Sequence, residues 1–201
     1  TKRMATFRPL IETYLQKMDV HPDLGAVPQS DKYFLGKLDL TQGQQKSLLP
    51  ESGGWISSIG QKVKQVYSMT YLPDGFAAMI LLGPNFTKAR YDFTYVRREF
   101  LGDVRCVVFD VQPKKGSKSQ VAFLGRIWVE DRDFNIVRFN GTHTPSSGSN
   151  VYFHFDSWRE NMGPGGWLPA YVYTEESDLA YFMGQRKLRF KGQTRLWGYN
   201  S

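Results

Sequence analysis

His154 and Asp156 stand two apart in the run "HFD", so on an extended chain an imidazole and a carboxylate would project side by side from one face. Such a pair could ligate a metal ion or relay a proton. A metal site needs further ligands, however, and the other two histidines, His21 and His143, are too distant in the chain to form a ligand spacing. No H-E-x-x-H, G-x-S-x-G, Walker loop or G-x-G-x-x-G occurs. Same-face polar pairs on strands commonly form hydrogen-bonded or solvated stripes. The expectation is therefore no enzyme: no catalytic residue, no metal and no cofactor.

Charged residues inside apolar runs carry more information. Arg97 and Glu99 share a face, as do Arg126 and Glu130, while Asp110, Arg138, Asp156 and Arg195 are embedded among hydrophobic neighbours. A charge withdrawn from water must be paired, which predicts cross-strand ion pairs along one face. Guanidinium groups also match phosphate or carboxylate headgroups, so Arg126, Arg138 and Arg195 are candidates for meeting the polar end of a ligand. Candidates for an apolar ligand wall are Trp128, Phe139, Phe153, Phe155, Tyr171 and Tyr173, with Phe123 and Trp197 behind them. Alternation alone leaves open which face of each strand points inward.

The elements that must position these residues are best seen in "GRIWVEDRDFNIVRF" (125–139), two strands about a tight acidic turn. Its strands are apolar on both faces, so the ribbon needs two partners, of which the protein's own core is one. From residue 91 onward, runs rich in Val, Phe, Tyr and Trp alternate with short turn clusters: "YDFTYVRREF", "VRCVVFDVQP", "QVAFLGRIWVE", "FNIVRFNGTH", "NVYFHFDSWRE", "WLPAYVYTEE" and "KLRFKGQTRLWGY". No insert is long enough for a parallel crossover, which predicts an antiparallel up-and-down meander. A sheet that wide must curl, and either closes or wraps around something.

The first ninety residues read differently. "FRPLIETYLQKM" (7–18) places Phe7, Leu10, Ile11, Tyr14, Leu15 and Met18 at helical spacing, and "WISSIGQKVKQVY" (55–67) does the same, so two helices are expected there. Between them "HPDLGAVPQSD" reads as loop, "KYFLGKLDLT" as strand and "QGQQKSLLPESGG" as loop. The helices are the natural cover for the concave side of a curved sheet. The expected architecture is thus mainly β (α+β): an unclosed antiparallel half-barrel, with N-terminal helices covering or plugging its concave side. It forms a single domain over 1–201, divided into 1–90 (helices, first strands and lid-like loops) and 91–201 (the meander).

Composition supports a globular chain. Of its 201 residues 41% are hydrophobic and 15% aromatic, too many for a disordered linker. The longest apolar candidate, "GFAAMILLG" (75–83), falls short of the roughly 18 residues needed to cross a bilayer. Cys106 is the one cysteine and reads as a small buried hydrophobe. The net charge of +7 has local concentrations at Lys114, Lys115 and Lys118 and in "RKLRFKGQTR" (186–195). No ribonucleoprotein signature, KH loop or zinc pattern accompanies them, so nucleic acid is not an expected partner. "NFT" and "NGT", at Asn85 and Asn140, match glycosylation acceptors, a pattern common by chance.

The order of segments resembles the outer-membrane lipoprotein-sorting superfamily (LolA/LolB/RseB-like) over roughly residues 91–201. The resemblance is carried by "REFLGDVRCVVFDVQPKK", then "GRIWVEDRDFNIVRF", then "FDSWRE" followed by "GGWLPAYVYTEE". It implies an unclosed β-barrel capped by helices, exported to the periplasm, that holds an acyl chain or another hydrophobic group in its concave face. The expected function is non-catalytic binding of a lipid or similar ligand in a bacterial cell envelope, as a monomer at most peripheral to membrane, with a lipoprotein or envelope protein as candidate partner. The alternative is a protein-interaction or regulatory envelope module whose cavity is filled by its own chain.

Overall fold

The structure, a computed structural model, describes residues 8–39, 44–47, 82, 86–114, 122–144, 151–163, 166–178 and 187–199. Among the described residues every strand belongs to one antiparallel sheet of ten strands that is not closed. In chain order these are β1 (Leu10–His21), β2 (Gly25–Asp39), β3 (Gln44–Ser47), β4 (Tyr91–Leu101), β5 (Val104–Pro113), β6 (Ala122–Glu130), β7 (Ile136–Thr144), β8 (Val151–Asn161), β9 (Trp167–Asp178) and β10 (Lys187–Trp197). Strands β4 to β10 lie side by side in sequence order, the meander expected from the seven apolar runs. β1 then pairs with β10, and β2 and β3 continue outward, so β3 and β4 are the two edges.

The N-terminal segment departs from expectation. Residues 7–18 were expected to form a helix, yet Leu10–His21 is a strand, hydrogen-bonded to β10 on one side and β2 on the other. Its pairing with β2 is irregular between Lys17 and Met18, where Gln29 of β2 is the unpaired extra residue. Ile11 and Leu15 point to one side at period two through Thr13, and beyond the irregularity Met18 is buried as well. The buried positions 11, 15 and 18 therefore have the i, i+4, i+7 spacing of a helix although the chain is extended. Two neighbouring loops are corrected similarly. Part of "HPDLGAVPQSD" opens β2, with Pro28 beside the bulged residue Gln29, where a missing N–H is tolerated, and Gln44–Ser47 pairs with Gly36–Asp39. The helix expected over 55–67 lies outside the described residues, which themselves contain no α-helix.

Register fixes which side chains share a face. Tyr95, Phe109, Ile127, Phe139, Ser157, Val172, Thr194 and Thr13 stand opposite one another in turn from β4 to β1, forming a transverse row. This face is the main core: Ile11, Val111, Phe123, Ile127, Phe139, Phe153, Phe155, Val172 and Leu196 are all at most 3% exposed. Each such side chain contributes about 1.5–3 kcal/mol by leaving water. Leu82 and Phe86, which precede β4, pack onto the same cluster, as does Tyr199 after β10. A smaller cluster on the opposite face joins Cys106, Val108 and Trp128 with Val137. Cys106 is fully buried there, and burial pushes its thiol pKa up.

Candidate functional site

The aromatic residues proposed as one ligand wall divide between the two faces. Phe123, Phe139, Phe153 and Phe155 lie on the core face; Trp128, Tyr171 and Tyr173 lie on the other, with Arg126, Arg138 and Arg195. Trp197, opposite Leu10, stands at the end of β10 and is 38% exposed. Because side-chain direction inverts at each step along a strand, no single trough can be lined by both sets.

On the core face Phe123, Phe139 and Phe155 are in mutual ring contact, and Phe153 joins them through Phe155. Phe123 meets Phe139 at a centroid distance of 6.0 Å and Phe155 at 6.1 Å, and Phe139 meets Phe155 edge-on at 5.8 Å. Phe153 lies 6.3 Å from Phe155. The rings fit because their row neighbours Gly125 and Gly141, paired directly across β6 and β7, carry no side chain. A Cβ on Gly141 would come within 2.2 Å of the Leu124 carbonyl oxygen and 2.7 Å of the Gly125 Cα. Phe86 caps the group, edge-on to Phe93 at 5.5 Å and to Phe123 at 6.1 Å.

The opposite face is organised by two transverse rows. One runs Thr94, Asp110, Arg126, Asn140, Asp156, Tyr173, Gln193 and Tyr14. Its neighbour runs Arg97, Val108, Trp128, Arg138, Trp158, Tyr171, Arg195 and Glu12. The cross-strand ion pairs expected from the sequence are present here. Arg126 donates to Asp110 through Nε at 2.7 Å and Nη2 at 3.1 Å, and Arg138 donates to Asp156 through Nε at 2.9 Å and Nη2 at 2.6 Å. The Arg138 guanidinium is also held between two indoles, 4.3 Å from the Trp128 ring centre and 4.1 Å from that of Trp158. Glu99 accepts from Arg97 and from the Trp128 indole N–H, and both lower its pKa. Arg126 likewise depresses the Asp110 carboxyl, and Asp110 raises the Arg126 pKa in return.

Beside these rows a trough of about 660 Å³ opens across β4 to β8. Thr94, Asp110, Arg126 and Asn140 line it from the first row, with Gln112, Leu124, Thr142 and His154 one step along the strands and Trp128 at its end. Of the proposed headgroup arginines only Arg126 reaches it. Arg138 is committed to Asp156 and its two indoles, and Arg195 stands farther across the sheet, opposite Glu12 and Tyr171. The residues that sequence reasoning passed over are the neutral ones, Thr94, Gln112, Asn140 and Thr142, together with Trp158. Trp158 had a signal, two positions after Asp156 and hence on the same face; the neutral residues become a group only once register is known.

His154 and Asp156 share a face as the "HFD" run predicts, but both carboxylate oxygens of Asp156 accept from Arg138. No group of three or more His, Cys, Asp or Glu able to hold a metal occurs among the described residues. Elsewhere lie the buried Glu176 and the half-buried Arg159. Burial raises the Glu176 pKa, with Arg189 at 3.2 Å acting against that rise. Burial lowers Arg159 to about 10; its guanidinium lies 5.5 Å from the Phe139 ring centre and donates to the Ile136 carbonyl at 3.3 Å. No family model, curated protein or solved structure matches this chain.

Proposed function

We propose that this chain is a non-catalytic binding module. Its sheet curves into a half-barrel, its apolar side is filled by its own side chains, and its polar and aromatic side meets the partner. The observation that carries this reading is the state of the phenylalanine wall. Phe123, Phe139, Phe153 and Phe155 are each at most 3% exposed, and Phe86 is packed on Phe123, so these rings already have apolar partners. A ligand entering there would have to displace contacts worth several kcal/mol. The other face offers what a recognition surface needs: charges fixed in place by their pairs, aromatic planes, and an open trough. The resemblance over residues 91–201 supports placing the module in a bacterial cell envelope.

A second reading, a lipid carrier, is favoured by the continuity of the apolar row from Tyr95 to Phe139. Mass spectrometry of organic extracts from natively purified protein separates the two. The module predicts no stoichiometric acyl lipid and no fluorescence gain from an added naphthalene-sulfonate dye. Recovery of one acyl lipid per chain would replace the module with the carrier.

A further inference from the structure

The trough across β4 to β8 has a lining chemistry that specifies a ligand class. Its two charged groups, Asp110 and Arg126, are bound to each other through two hydrogen bonds and cancel. The side chains of Thr94, Gln112, Asn140 and Thr142 make no hydrogen bond to another described residue, so two amides and two hydroxyls face one space with their donors and acceptors available. Leu124, 38% exposed, adds an apolar patch within the polar lining. At about 660 Å³ the space falls within the range of small-molecule sites.

With a neutral imidazole at His154 the lining carries no net charge and gives little advantage to an anion or a cation, because each would meet its like charge within the Asp110–Arg126 pair. It favours a molecule with many neutral donors and acceptors closely spaced. Planar groups with two polar atoms, such as the Asn140 and Gln112 amides and the Arg126–Asp110 pair, match vicinal hydroxyls, which present a donor and an acceptor on adjacent carbons. The C–H faces of a sugar ring would rest on Leu124. We propose that the trough binds a neutral saccharide chain. This deepens the module reading and rests on it, since it makes the polar face the recognition surface.

Two-dimensional amide NMR of the full chain, titrated with neutral tetrasaccharides of glucose, mannose and N-acetylglucosamine, tests the assignment. At least one should give saturable shifts confined to Thr94, Gln112, Asn140, Thr142 and their strand neighbours. The double variant Asn140→Ala/Thr142→Val should weaken that binding at least tenfold while leaving the rest of the spectrum in place. Inorganic phosphate, added at the same concentration, should leave the trough signals unmoved. The saccharide assignment is overturned if none of the three shifts these residues, if the double variant binds as well as the parent, or if phosphate binds in preference. These results are independent of lipid extraction: acyl lipid in the extract would sink the module, whereas a silent titration with a clean extract would sink only the saccharide.

Discussion

The Glu130 carboxylate accepts backbone N–H bonds from Arg132, Asp133 and Asn135 and a side-chain bond from Asn135, at 2.8–3.1 Å. It thereby organises the acidic turn between β6 and β7, where Phe134 adopts a left-handed conformation (φ 59°) that costs a non-glycine residue about 1 kcal/mol. Burial pushes the Glu130 pKa up, but the hydrogen bonds outweigh it and hold the value at about 2, below the ordinary 4.5. A depressed carboxyl contributes its stability fully above the unfolded value and loses it as pH falls toward the folded one. Glu130→Gln turns an NH2 group toward backbone donors and should cost about 2 kcal/mol at pH 7. Urea unfolding of parent and variant at pH 7 and pH 2 checks this. The gap should shrink between pH 4.5 and about 2, and an equal gap at both pH values would assign the cost to something other than the ionised carboxylate.

Strands β4 to β10 were legible because each alternates over most of its length and ends at a Gly, Asp or Ser cluster, and period two does not depend on distant partners. β1 was not, since its buried positions 11, 15 and 18 repeat at helical spacing and the pairing that selects the strand comes from β10, nearly the whole chain away. The ion pairs of the polar face were legible as a type of interaction, whereas assigning Phe123 and Trp128 to one wall failed because face depends on register. The Gly125–Gly141 pair belongs to this scale, as the contact that sets the distance between β6 and β7. Gly141→Ala places a methyl against backbone atoms, which cannot move aside as a side chain would, and should cost about 2–3 kcal/mol. A fall in Tm of about 5 °C or more is expected. Gly25, with φ 72° and no atom within 4 Å of its added Cβ, is the control: Gly25→Ala pays only for backbone conformation, about 1 kcal/mol. Equal losses at the two glycines would mean that close approach at Gly141 is not what matters.

At the scale of the molecule, the sheet is continuous only because Leu10–Lys17 pairs with Phe190–Trp197, joining strands from opposite ends of the chain. Without β1, β10 becomes an edge, and Leu196 and Thr194, now 3% and 2% exposed, lose the neighbours beside them. β1 itself buries Ile11, Leu15 and Met18, which together contribute about 5 kcal/mol or more. That is comparable to the whole stability of a typical domain, about 5–15 kcal/mol. The meander over residues 91–201 should therefore not fold independently, even though it supplies seven of the ten strands. A chain beginning at residue 40 is expected to lose its cooperative urea transition and to bind naphthalene-sulfonate dye strongly through the uncovered apolar row. Adding a synthetic peptide of residues 8–39 should restore the transition at high peptide concentration, because the pairing surface on β10 is then occupied again. A truncated chain that unfolds with the parent's midpoint and slope would show that β1 and β2 are appended to a self-sufficient sheet, and the polar rows ending at Glu12 and Tyr14 would then lose their place in the recognition surface.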